Sequence, residues 1–147
     1  MIEEQERRLV FERFDYEDAW ILGNILVKLG TDRSLPIAID IMRGEQKMFH
    51  AALPGSTANN DRWIDRKARV VREYGESSLL VGARGRLRGR PFEEQPANDP
   101  RLQVAAGGCF PVNVARSGTI GTVAVSGLSQ YDDHALVVEA IELFLAD

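Results

Sequence analysis

Small and reactive side chains gather between residues 105 and 134, as Gly107-Gly108-Cys109, Ser126-Gly127 and Asp132-Asp133-His134. A glycine pair lets the backbone take positive φ and come close to a ligand or another chain. A helix opening just after Ser126-Gly127 would aim unpaired N–H groups at an anion. Cys109 has no Cys-x-x-Cys partner, and a nucleophilic thiol needs a nearby base and an electropositive setting, so its position favours a buried, inert role. His134 follows two acids in what reads as the first turn of a helix, where the carboxylates oppose the helix dipole. Adjacent helical residues diverge by about 100°, so Asp133 and His134 could share a metal only with a distant third group. His134 and His50 are the chain's two imidazoles.

A second concentration is cationic. Arg62, Arg66, Lys67, Arg69, Arg72, Arg84, Arg86, Arg88 and Arg90 place half of the 18 Lys and Arg side chains between residues 62 and 90. Acids interleaved with them point to solvated faces or subunit contacts for most. Arg66 is the candidate for an anion site, since its planar fork suits carboxylate, phosphate or propionate groups. Nucleic acid is excluded as a general partner by the net charge of −4 and by the lack of interleaved aromatics. There is no Walker loop, dinucleotide fingerprint or His-Glu-x-x-His, and Val125-Ser126-Gly127 lacks the leading glycine of a nucleophile elbow.

These groups must be positioned by a succession of helices and hairpins. Residues 9–14 are an apolar patch readable as a strand or as the end of a leading helix. Asp15, with Asp18 at the third position, caps a helix whose apolar residues are Ala19, Leu22, Ile25, Leu26 and Leu29, with Gly30 as its stop. Leu35 to Met42 and Gln46 to Leu53 read as a hairpin turning at Gly44. His50 lies on its second strand, and its face depends on register. Pairing Met42 with Lys47 puts it with Ile39 and Ile41; pairing Met42 with Gln46 puts it with Asp40. A long helix from about Asn59 to Tyr74 ends at Gly75. Its apolar stripes contain Ile64 with Val71, and Trp63 with Val70 and Tyr74, so Trp63 reads as core or subunit contact. Ser77-Ser78 caps a shorter helix to about Leu87, and residues 89–100 are irregular, with three prolines and three acids. A second hairpin spans 109–125 around Ser117-Gly118. Ser129 with Asp132 forms a capping box for a last helix over about 130–146.

Strands that come in hairpins make antiparallel pairs, so the expected fold class is α/β in the broad sense (α+β), a mainly antiparallel sheet flanked by helices. A chain of 147 residues is expected to be one domain, residues 1–147, and at this size about 68–70% of the unfolded surface is buried without help from disulfides. One cysteine, a charged N-terminus and no apolar run approaching 20 residues point to a cytoplasmic protein with no membrane partner.

The motifs together carry a resemblance. Asn60 to Lys67 (Asn-Asp-Arg-Trp-Ile-Asp-Arg-Lys), Ser77-Ser78, Gly107-Gly-Cys-Phe-Pro111, Gly121-Thr-Val-Ala-Val-Ser-Gly-Leu128 and Asp133-His134 resemble uncharacterised protein family 0303, of the GlcG/HbpS-like (haem-degrading domain) superfamily. The resemblance covers roughly residues 10–146. It implies a profilin-like three-layer domain, assembly into homo-oligomers and, in some relatives, binding or degradation of haem. The family often has His before the glycine pair, where this chain has Ala106. That leaves His50 and His134 as the imidazoles available to a haem iron. The resulting expectation is an oligomeric small-ligand-binding protein, with haem or another tetrapyrrole as the suggested cofactor. Its site would combine Gly107, Gly108, Cys109, Ser126, Gly127 and His134 with Arg66 as anion contact. The alternatives are a non-catalytic scaffold that binds other proteins, or an enzyme acting on a small carboxylate.

Overall fold

Ahead of every long helix the sequence places a side chain able to hydrogen-bond a free backbone N–H, and the computed structural model, which describes residues 1–146, uses each of them. After a short α1 (Ile2–Arg8), Asp15 and Asp18 close a reciprocal capping box on α2 (Tyr16–Asp32), and Thr57 and Asn60 close another on α3 (Ala58–Tyr74). The Ser77 hydroxyl accepts from Leu80 N at the start of α4 (Ser78–Leu87), and Ser129 accepts from Asp132 N at the start of α5 (Gln130–Leu145). Gly75, at φ 68°, ends α3 in the left-handed conformation.

Gly30 does not stop α2. The helix runs two residues further, and Gly30 is buried where a Cβ would come within 2.5 Å of Leu53 Cδ1, so its missing side chain serves packing. Residues 9–14 are neither strand nor helix end. They are irregular, with Leu9, Phe11 and Phe14 buried in the core and a single parallel bridge from Phe11 to Val114.

Four strands, β1 (Ala38–Arg43), β2 (Gln46–Ala52), β3 (Cys109–Val114) and β4 (Gly118–Ser126), form one sheet in the order β2-β1-β4-β3, with every pair antiparallel. Alternation divides it into two faces. Ile39, Ile41, Phe110, Val112, Val123 and Val125 pack with α2 and α5 in the larger core. Ala38, Met42, Cys109 and Ala124 meet Ile64, Ala68 and Val71 of α3 on the other. The layers are therefore helix, sheet, helix, the α+β arrangement with an antiparallel sheet expected from the hairpins. The side chains opposite α3 are mostly small, which brings that helix close to β3 and β4.

Register in the first hairpin departs from both simple alternatives. Met42 does pair with Lys47, but an irregularity between Ile41 and Met42 inserts Met48 as an extra residue, so that Asp40 faces His50. The bulge turns His50 towards α3 instead of the Ile39 and Ile41 face.

Candidate functional site

The apolar stripe of α3 contains one charged residue. Ile64, Lys67, Ala68 and Val71 follow the i, i+3, i+4, i+7 pattern, and Lys67 is as buried as its neighbours, at 2% exposure. Its Nζ donates to the Val125 carbonyl at 3.1 Å and to Asp133 Oδ2 at 3.2 Å. Asp133 occupies the equivalent inward position of α5, also at 2% exposure, and its Oδ1 accepts from Leu128 N at 3.0 Å. The two charges thus meet across the end of β4. Burial holds the Lys67 ammonium below the usual lysine range, against the pull of Asp133. Burial also raises the Asp133 carboxyl, against Lys67 and the Leu128 and Gly127 N–H groups. Desolvation therefore pushes both partners towards their neutral forms.

Gly108 makes this approach possible. It has φ 128°, and a Cβ there would lie 2.6 Å from both Lys67 Nζ and the Val125 carbonyl oxygen. On the open side of Lys67 is a pocket of about 380 Å³. Asn60 and Trp63 of α3 wall one side, Ala106 and Gly107 another, and Ser126 to Leu128 with Gln130 and Asp133 close the rest. Gln130 Oε1 accepts from Gly107 N at 3.0 Å and ties the glycine loop to the first turn of α5. Asn60 Nδ2 makes only a long contact, 3.5 Å, with Ser126 Oγ, so both groups keep capacity for a ligand. The N-terminal turns of α3 and α5 both border the opening, adding positive backbone potential to the Lys67 charge.

Of the residues singled out from the sequence, Gly107, Ser126 and Gly127 line this pocket. Gly108 and Cys109 lie behind it. The Cys109 thiol is fully buried and its pKa is pushed up to about 12 by burial, which keeps it protonated and unreactive. Arg66 is not part of the lining: its guanidinium covers the Trp63 ring at 4.4 Å from the centroid and donates to Pro100 O. Trp63, read as core or subunit contact, is a pocket wall.

The two imidazoles do not converge on the pocket. His134 is buried at 4% exposure, with its ring 5.9 Å from that of Phe110 and Nε2 2.8 Å from Gln5 Oε1 of α1. Gln5 offers an acceptor, so Nε2 carries the hydrogen, and Nδ1 faces no partner. Burial lowers its pKa to about 4. His50 is partly open to solvent on β2, its Nε2 2.8 Å from Asp61 Oδ1. Among the described residues, no three His, Cys, Asp or Glu side chains converge to hold a metal ion, and no helix is long and apolar enough to cross a membrane.

Lys67 was visible in the sequence only as one of nine clustered cations. Its placement on an apolar helical stripe is the signal that separates it from the other eight.

The protein has clear relatives. The profile described as "Haem degrading protein HbpS-like" matches residues 14–142. A UPF0303 protein of Streptomyces avermitilis is 58% identical over 98% of this chain and 88% of its own length, and one of Rhizobium etli is 44% identical over 99% and 88%. Among solved structures, the Ybr137w protein superposes with a TM-score of 0.90 at 28% identity, covering 99% of this chain and 86% of its own. The PduOC:haem complex shares the fold, with a TM-score of 0.72 at 17% identity over 88% and 93% of the two chains.

Proposed function

The chain belongs to the HbpS-like haem-degrading protein family, and we propose that it is an oligomeric protein that binds a small anionic ligand in the pocket beside Lys67. The observation that carries this reading is a buried ammonium facing a cavity of about 380 Å³ instead of bulk water. A desolvated cation with spare donors around it gains more from an anion than an exposed one would. Asn60 Nδ2, the Ser126 hydroxyl and Gln130 supply the polar contacts, and Trp63 supplies an apolar wall.

Haem is the ligand suggested by the family and by the haem complex of PduOC. The pocket suits a propionate, but its lining contains no imidazole, thiol or thioether for an iron. His134 Nε2 is engaged by Gln5 and shielded by α1. His50 is the open imidazole, away from the pocket lining. The fit to haem therefore stops at its carboxylates.

The assembly part of this reading rests on a different surface. Tyr16, Trp20 and Ile21 of α2 are all more than half exposed, more aromatic area than an isolated surface helix usually leaves in water. The same surface would serve the scaffold reading, in which other proteins dock there.

Calorimetric titration with a panel of small mono- and dicarboxylates, beside an absorbance titration with haemin, tests the ligand reading. Binding of a carboxylate that weakens in Asn60→Ala and Ser126→Ala, while His50→Ala binds normally, is the expected result. A saturable Soret shift abolished by His50→Ala, with no carboxylate bound, would overturn the pocket assignment in favour of a haem site on β2.

A further inference from the structure

The chain holds three lysines, Lys28, Lys47 and Lys67, against fifteen arginines, as the 18 cations less the three lysines show. Lys28 pairs with the exposed Asp32 and Lys47 with the buried Asp40, but both lysine side chains are themselves open to solvent, with exposures of 77% and 52%. Lys67 alone is buried. An arginine could fill a purely structural cationic role, but it cannot be deprotonated in a protein, whereas a lysine can.

We propose that Lys67 is a carbonyl-binding nucleophile, whose Nζ condenses with the aldehyde or keto group of a small oxo acid held in the pocket while Asp133 moves the protons. This deepens the anion-binding reading and rests on it. The groups are already arranged for the reaction. Lys67 Nζ and Asp133 Oδ2 share one hydrogen bond, and both border the cavity. Moving the proton from Nζ to Oδ2 yields a neutral amine beside a neutral acid, the direction in which burial drives the pair.

The amine lone pair then forms a C–N bond to the carbonyl carbon, and the Asp133 proton goes to the carbonyl oxygen. Asp133 next takes a proton from nitrogen, leaving a neutral carbinolamine and a neutral acid. That proton goes to the hydroxyl, which departs as water as the nitrogen lone pair closes the C=N bond. The product is a protonated imine opposite the Asp133 carboxylate, so the ion pair is restored in the place of the original one. No oxidant or reductant is consumed. The substrate's carboxylate would meet the Asn60 amide and the Ser126 hydroxyl, the donors left unsatisfied on the opposite wall. Cys109, the other titratable group against Nζ, stays protonated and takes no part.

The test uses the full chain incubated with glyoxylate and cyanoborohydride near neutral pH, then intact-mass measurement and peptide mapping. One reduced adduct at Lys67, on the order of tenfold or more above Lys28 and Lys47, is expected, since only Lys67 is held beside both the bound carbonyl and the Asp133 proton relay. The preference should vanish in denaturant. Asp133→Asn, which keeps a hydrogen-bonding group but cannot relay protons, should slow trapping by about a hundredfold. Uniform labelling of the three lysines, or labelling of the exposed pair alone, overturns the proposal. A parallel glyoxylate titration of Trp63 fluorescence, read in a Trp20→Phe background, separates the two levels. Saturable quenching without an adduct removes the carbonyl chemistry and leaves the anion pocket standing. Neither quenching nor an adduct removes both for this ligand class.

Discussion

Replacing Lys67 by Met should be among the most damaging single changes in the protein, and the structure says how the damage should depend on pH. Met keeps the length and the apolar stem but removes the charge that faces Asp133 at 3.2 Å. The carboxylate left behind is 2% exposed, and its remaining partners are backbone N–H groups at Leu128 and Gly127. Breaking a buried pair from one side typically costs about 3–5 kcal/mol. A domain of this size has roughly 5–15 kcal/mol in all, so Lys67→Met should unfold at much lower urea but still fold in buffer. The lone Asp133 would have a folded pKa far above its unfolded value of about 3.9. Above about pH 4 the folded variant then holds a proton that the unfolded chain has lost, so its stability must fall as pH rises and recover as pH drops towards 5. Urea melts at pH 7 and pH 5, for wild type, Lys67→Met and Lys67→Met/Asp133→Leu, measure this directly. The double variant should recover most of the loss, because two apolar groups replace two buried charges. If Lys67→Met loses less than about 1 kcal/mol at pH 7, or the double variant is worse than the single, the pair is not the buried, coupled unit described here.

Two further outcomes follow from the same burial logic. His134 is held neutral, with its folded pKa lowered from 6.5 to about 4. As pH falls from about 6.5 to 4 the unfolded chain takes up a proton that the folded chain refuses, so stability present above pH 6.5 should decline by about 3 kcal/mol across that window. His134→Leu should flatten this part of the stability profile in urea melts; an unchanged slope would place the acid sensitivity elsewhere. Gly108→Ala combines a strained φ of 128° with a Cβ aimed at Lys67 Nζ, and should cost about 2 kcal/mol or more while abolishing ligand binding. Gly44→Ala, at φ 55° in the first hairpin turn with no heavy atom near the added Cβ, should cost only about 1 kcal/mol and leave binding intact. Equal losses in the two variants would remove the steric argument for Gly108.

The parts of this protein that were readable from sequence are those decided by local chemistry. Asp15, Ser77 and Ser129 cap helices because hydroxyl and carboxylate oxygens satisfy N–H groups that the helix itself cannot. The glycine loop and Ser126-Gly127 stood out for a related reason: small residues mark places where something approaches closely, and they do border the pocket. The misreadings came where tertiary context reassigns a local signal. Gly30 ends a helical pattern on paper, yet packing against Leu53 keeps it inside α2. No alternation rule announces the extra residue at Met48 that moves His50 to the side of Asp40.

Lys67 belongs to a third category, in which the signal was present but outweighed. Among nine neighbouring cations a lysine looks like one more solvated charge. On the i, i+3, i+4, i+7 stripe with Ile64, Ala68 and Val71 it is an anomaly, and Asp133 is its counterpart among Val137, Ala140 and Ile141 on α5. Two charges on two apolar stripes, on helices that pack on opposite faces of one sheet, can meet only at the sheet's end, where β4 stops at Ser126. With any other residue at 108 a Cβ would occupy the space that Nζ fills, and without the opening between Trp63 and Gln130 the pair would be sealed in. A sealed pair would be structural; a pair whose two members desolvation pushes towards their neutral forms and that borders a cavity is chemically available. That distinction, not the arginine density around it, is what makes residue 67 the place to look for function.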